Sequence, residues 1–328
     1  MNIFQGKGTV GSESFKGFSA QSSFMKDHFI PFSSIFKKTF WVDLHSFKRL
    51  VFIILAMNIN SILMYIYYSE PIPYEFAFIN DILGIGQIIF AYLLVCIPFL
   101  IFSSASMISE EISRGTMLIL VSKPVSKIKI TLSKFLAILS YFLLIHLTSL
   151  GVTSILCLIK QPFNDMLPFF LSQLLYAPIL LYFFGIMTMS LSMALKQTKA
   201  ALLIPIIIIL FIFLSVFMIK PALFQPCIFN KNLTYYEAFQ VYHFDLGYHI
   251  MNVYHGVLEL FFPEISQSMQ GFLSSWGVYK RELSDPFGLT FLKNNYYTPL
   301  ASLILLMSIS TMIFIIGFLI FKKKDITS

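Results

Sequence analysis

The sequence predicts an all-α polytopic membrane protein with six transmembrane helices. Three observations predict it: 57% of the 328 residues are hydrophobic, only 12% are charged, and the apolar residues gather into six long runs. A soluble globule is about half apolar and about a quarter charged. Charge this sparse cannot cover a water-facing surface, so lipid must be the solvent for much of the chain. A water-soluble class is excluded.

The elements follow in order. Residues 1–33 are rich in Ser, Gly and Lys without periodicity and are expected to form a mobile tail. No apolar core occurs in the first 30 residues, so no signal peptide is expected there. Residues 34–49 place Phe36, Phe40, Leu44 and Phe47 on one helical face. That pattern suits an amphipathic elbow helix in the headgroup layer, with Trp41 as its anchor. A bilayer core needs about 20 apolar residues per helix. Six stretches qualify: 50–68, 82–107, 130–159, 167–195, 200–219 and 298–321. Pro98, Pro168, Pro178 and Pro205 fall inside them and are read as kinks, because neighbours can satisfy the freed carbonyls.

Orientation follows from lysine and arginine. With the N-terminus inside, the inside segments carry 17 Lys and Arg, against 1 in the two short outside loops. The positive-inside rule then puts both termini, including the tail 322–328, in the cytoplasm of an inner or plasma membrane. The net charge of +7 is the same bias, and no nucleic-acid partner is expected. Cys96 and Cys157 lie in apolar runs and Cys227 has no evident partner, so no disulfide framework is read.

Between the second and third runs lies a polar cassette, "ISEEISRGTMLILVSKPVSKIKITLSKFLA", with its central segment at 109–124. Glu110 and Arg114 are four apart in the favoured acidic-first order. Gly115 permits a bend, Pro124 ends whatever precedes it, and Ser126 can cap the third span. Lys127, Lys129 and Lys134 are expected near anionic headgroups or a protein partner.

The cassette resembles that of the ABC-2-type permease family, the membrane halves of ATP-binding-cassette exporters. The family pattern runs acidic-x-x-x-Gly-Thr, a hydrophobic stretch, Pro-Val-Ser-Arg, and a Lys seven residues on. Here these are Glu111, Gly115, Thr116, Pro124, Val125, Ser126, Lys127 and Lys134. Lys127 stands in place of the usual Arg, and Ser113 where a second acid is common. The ending "FKKKDI" is also similar. The resemblance implies a type V exporter-like plan. Glu110, Glu111, Arg114, Gly115, Thr116, Pro124, Lys127 and Lys134 would then form a coupling helix docked on a separate cytoplasmic ATPase. It also implies a second permease copy, as homodimer or heterodimer. The chain carries no G-x-x-x-x-G-K-[ST] loop: its single Gly-Lys pair, Gly6-Lys7, has Met1 where the first glycine belongs. No cofactor is therefore expected in this chain, and ATP with Mg²⁺ would bind the partner.

An alternative is a membrane enzyme of the CAAX-protease type, with E-E-x-x-x-R, F-x-x-x-H and H-x-x-x-N/D. Phe142 and His146 fit the second pattern. Glu110, Glu111 and Arg114 are one residue short of the first, and no histidine here meets the third.

The long segment 220–297 is expected to be an extracytoplasmic cap with re-entrant helices. Tyr-His recurs in it at 242–243, 248–249 and 254–255. On a helix, Asp245 and His249 share a face and are weak metal candidates; an amphipathic helix hugging the interface is the blander reading. Within the spans, Asn58, Asn60, Gln87 and His146 are candidate pathway groups or interhelical hydrogen-bonders. The function expected is a permease subunit exporting something lipid-like, an amphipathic drug or a peptide.

Overall fold

The computed structural model describes residues 32–44, 46–67, 83–117, 125–158, 163–195, 197–230, 233–262, 264–281 and 290–323. Residues 1–31 of the tail expected at 1–33, Pro124 and the rest of the cassette at 118–124 lie outside these. The chain opens with a helix over 32–38 that continues as a π-type turn at Thr39–Leu44 (together α1). Phe47–Met57 (α2) and Ile59–Tyr67 (α3) follow. Then come Leu83–Ser113 (α4), Lys127–Leu158 (α5), Phe163–Ala194 (α6) and Thr198–Leu223 (α7). Tyr235–Ala238 (α8), Leu246–Phe261 (α9) and Gln267–Ser275 (α10) lead to strands Tyr279–Arg281 (β1) and Phe291–Lys293 (β2). Pro299–Lys323 (α11) closes the described chain.

Among the described residues, five helices are long and apolar enough to cross a membrane: α4, α5, α6, α7 and α11. The first expected crossing, 50–68, is instead split into α2 and α3 at Asn58. The cause is local. Asn58 Nδ2 donates to the Ile54 carbonyl at 2.8 Å and to Ser149 Oγ of α5 at 2.8 Å, so an amide side chain competes with the backbone ladder. Pro168, Pro178 and Pro205 sit inside helices that run on through them. Pro98 follows a ten-residue π-helical stretch, Gln87–Cys96, within α4.

The elbow face is only partly as periodicity predicts. Leu44 is buried and Phe40 packs edge-on against Tyr141 of α5, with ring centroids 5.8 Å apart. Phe47 is exposed. The wider π turn and the break before α2 shift the register, so a 3.6-residue period no longer holds across 36–47.

Helix α6 is the centre of the bundle, packing on α4, α5, α9 and α11. Its contact with α11 is close: a Cβ on Gly317 would lie 2.7 Å from the Ser190 carbonyl, the small-residue approach that apolar helices use to pack in lipid. The outward faces of α7 (Leu203, Ile207, Phe211, Phe217) and α11 (Leu300, Ile304, Met312, Ile316) are exposed, as expected where hydrocarbon is the solvent.

The segment after α7 is a compact module rather than a surface helix. Thr234 and Glu237 close a capping box on α8, and Asp245 caps α9. α9 does not hug an interface: Tyr248, His249, Met251, Tyr254 and His255 are all buried, against α6 and α11. The module adds a two-stranded antiparallel ladder, Tyr279 opposite Lys293 and Arg281 opposite Phe291, to an otherwise helical protein.

Candidate functional site

The ends of α4, α5, α6, α7 and α11 that carry the cassette meet through polar contacts. Ser192 Oγ, on α6, accepts the backbone N–H groups of Ile108 and Ser109 at 3.2 and 3.0 Å and donates to the Ala105 carbonyl at 2.8 Å. Ser109 Oγ reaches Thr198 Oγ1 at the start of α7, 3.1 Å away. Sequence reasoning missed this clasp, because isolated serines in apolar runs carry no spacing signal.

The cassette residues divide into an outer and an inner set. Glu110 and Arg114 form an i,i+4 ion pair and are the more exposed members, while Thr116 Oγ1 donates to the Glu111 carbonyl at 3.3 Å. Gly115 ends α4 in the left-handed region, φ +71°, the helix C-terminal geometry that glycine adopts without strain. Glu111 turns inward. Its carboxylate lies 2.5 Å from Lys134 Nζ, with the two side chains 17% and 2% exposed. This contact is an ion pair without the geometry of a directed hydrogen bond. The directed bond from Lys134 goes to the Met107 carbonyl at 2.8 Å.

Two expectations are thereby corrected. Lys134 does not face headgroups or a partner, because it lies on the inner face of α5. Lys127, seven residues earlier, is spent within the chain: its Nζ donates to the carbonyls of Phe321 at 3.3 Å and Lys322 at 3.2 Å. It thus caps the end of α11, where the helix dipole favours a cation. Ser126 stands at the N-cap of α5, its carbonyl accepting from Lys129 and Ile130.

Of the polar groups within the spans, Asn58, Gln87 and His146 are buried and Asn60 is half-buried. Asn58 Oδ1 accepts from Thr153 Oγ1 at 2.8 Å, and Tyr92 OH meets His146 Nδ1 at 2.8 Å. Asn60 packs against Gly86. Gln87 is buried, and among the described residues its Nε2 has no hydrogen-bond partner. Asn58 thus ties the α2–α3 break to α5, Tyr92 and His146 tie α4 to α5, and Asn60 sets α3 against α4. His146 lies twelve residues beyond Lys134 on α5, about 18 Å along the axis. A protease dyad joining it to Glu110 and Glu111 is thus not assembled.

At the opposite end, Lys220 and Asp245 form a second buried ion pair, 2.6 Å apart. Lys220 also donates to the Trp276 carbonyl at 3.0 Å, and Asp245 accepts from Tyr236 OH at 2.7 Å. Asp245 is thus committed to a cap and an ion pair. His249 is committed to Ser302 Oγ at 3.1 Å and the His243 carbonyl at 3.3 Å. Among the described residues, no group of three His, Cys, Asp or Glu side chains could hold a metal ion. The Tyr-His repeat builds a seam instead: His243 bonds Tyr297 OH at 2.6 Å and His255 bonds Tyr279 OH at 2.8 Å. Burial, then the Lys293 charge, pushes His255 down to about 4, against the pull of Glu259.

Long apolar helices round a central α6, with a charged turn at one end and a folded module at the other, define a multi-pass helical membrane protein. The chain belongs to the ABC-2 transporter family: the model described as ABC-2 family transporter protein matches residues 6–326. It is accordingly a permease of an ABC transporter. A search of curated proteins returned no match.

Proposed function

We propose that the chain is the permease subunit of an ABC exporter, driven by a separate cytoplasmic ATPase that binds ATP and Mg²⁺. The exposed Glu110–Arg114 turn is the contact for that ATPase. The buried Glu111–Lys134 pair passes its displacement from α4 to α5, and Lys127 extends the linkage to α11. Pro124 and the stretch before it complete the coupling segment. α2 and α3 together act as the sixth crossing: with 11 and 9 residues they span about 30 Å as helix. Both termini face the cytoplasm of an inner or plasma membrane, and the module after α7 caps the outer exit. A second copy of this chain, or a related half, completes the pathway for a lipid-like substrate, amphipathic drug or peptide.

The observation that carries this reading is the match over nearly the whole chain to the ABC-2 family. The motif acid, glycine and lysines meeting at one end of the bundle support it. The test is co-expression with the ATPase encoded nearest to it. A stable complex with substrate-stimulated ATP turnover is expected, with a Ser113→Cys label reached only from the cytoplasmic side. Labelling from outside, or export by the permease alone, contradicts it.

A further inference from the structure

The module opposite the cassette forms an open-mouthed cavity of about 790 Å³, within the range of small-molecule sites. Val216, Pro221 and Phe224 at the end of α7, with Leu233 and Leu292, give it apolar walls. Three charged residues also line it: Glu237, Lys280 and Arg281. Glu237 is already satisfied. It accepts from the Thr234 backbone N–H at 2.9 Å, Tyr296 OH at 2.9 Å and Lys280 Nζ at 3.3 Å. Burial works against its ionisation, but these bonds win and hold its carboxyl below the usual range. Glu237 and Lys280 therefore cancel, and a cationic ligand would find no free carboxylate.

Arg281 is different. Among the described residues it forms no ion pair, and its guanidinium lies 6.0 Å above the Phe291 ring. Among the described residues the lining therefore carries one surplus positive charge, on the side chain best suited to a carboxylate or phosphate fork. Beside the cavity, the loop closed by the Pro226–Thr234 bridge holds Ile228 and Phe229 out into the surroundings, 80% and 89% exposed. Two exposed apolar side chains beside a cavity with both apolar and polar walls, whose described lining carries one cation outside any ion pair, suit one kind of molecule.

We propose that this cavity binds an amphipathic anion, its carboxylate or phosphate against Arg281 and its apolar chain along Val216, Phe224 and Leu292. The source is either a membrane phospholipid or a soluble amphiphile. The purified full-length chain separates them in two arms: retention of phosphatidylglycerol over phosphatidylcholine by native mass spectrometry, and titration with dodecanoate. Binding in the first arm assigns the site to a lipid, and binding in the second to a soluble acid. In either, Arg281→Gln and Leu292→Trp should each weaken binding at least tenfold. Arg281→Lys should recover part of it, and Lys293→Gln, whose cation pairs with Glu259 instead, should leave it unchanged. Thermal melting checks that the variants fold. No binding in either arm, equal binding of phosphatidylcholine or dodecanol, or wild-type binding by Arg281→Gln overturns the proposal. No ATPase enters the experiment, so its failure leaves the permease reading untouched.

Discussion

Lys134, almost wholly buried on α5, stands 2.5 Å from the Glu111 carboxylate at the end of α4. The two residues are 23 positions apart, on opposite sides of the polar cassette, and the fold makes them one unit. Breaking a buried pair by removing one partner costs about 3–5 kcal/mol, because a lone charge stays behind. Glu111→Ala and Lys134→Met should each lower thermal stability by that order. The double replacement Glu111→Leu with Lys134→Met should recover most of it, and a double-mutant cycle in detergent measures the coupling. Additive losses would mean that the two charges do not interact.

Lys127 caps α11 from the start of α5. Lys127→Gln should loosen the last turns of α11 at a cost of about 1 kcal/mol. Hydrogen exchange at 317–323 should quicken while exchange in the middle of α6 stays the same. Uniform protection in the variant would count against the cap.

Gly317 touches the backbone of α6 at Ser190. A methyl group there has backbone, not a flexible side chain, to displace. Gly317→Ala should therefore destabilise the α6–α11 contact by about 1–3 kcal/mol. Ala301→Gly, on the same helix but half exposed, should change stability by no more than the intrinsic difference of about 1 kcal/mol. Equal effects of the two would remove the close-packing argument.

His255 makes the module after α7 sensitive to acid. Its folded pKa is depressed to about 4, by burial first and the Lys293 charge second, against about 6.5 when unfolded. Between those values the unfolded state binds more protons, so stability is complete above about pH 6.5 and falls as pH drops towards 4. The loss is about 3 kcal/mol. Burial also holds His249 below its ordinary value, which adds loss in the same direction. His255→Gln should flatten the part of the stability–pH curve that wild type loses between pH 6.5 and 4. A variant curve as steep as wild type would refute the assignment.

Much of this fold was legible in the sequence because the lipid constraint is severe. Twenty apolar residues in a row have few alternatives to a spanning helix, and α4 to α7 and α11 fall where the runs predict. The exceptions are physical. Asn58 splits the first run because its amide has two partners, Ile54 and Ser149, that only the fold supplies. The cassette motif was visible as spacing, but spacing gave no sign that Glu111 faces in while Glu110 and Arg114 face out. That division depends on where α5 lies. The partners of Lys127 at Phe321 and Lys322 come from the far end of the chain, beyond any local pattern. Arg281 carries no signal in the sequence for the same reason: a cation becomes informative only when its cavity is seen.

Coupling to a motor on another polypeptide is tested most directly by ATP turnover in the assembled complex after replacing Glu110 and Arg114 together by alanine. Neither side chain is buried, so the permease should fold and reach the membrane at wild-type levels. Substrate-stimulated hydrolysis and export are then expected to fall at least tenfold. Wild-type export by that double variant would contradict the coupling role of the turn.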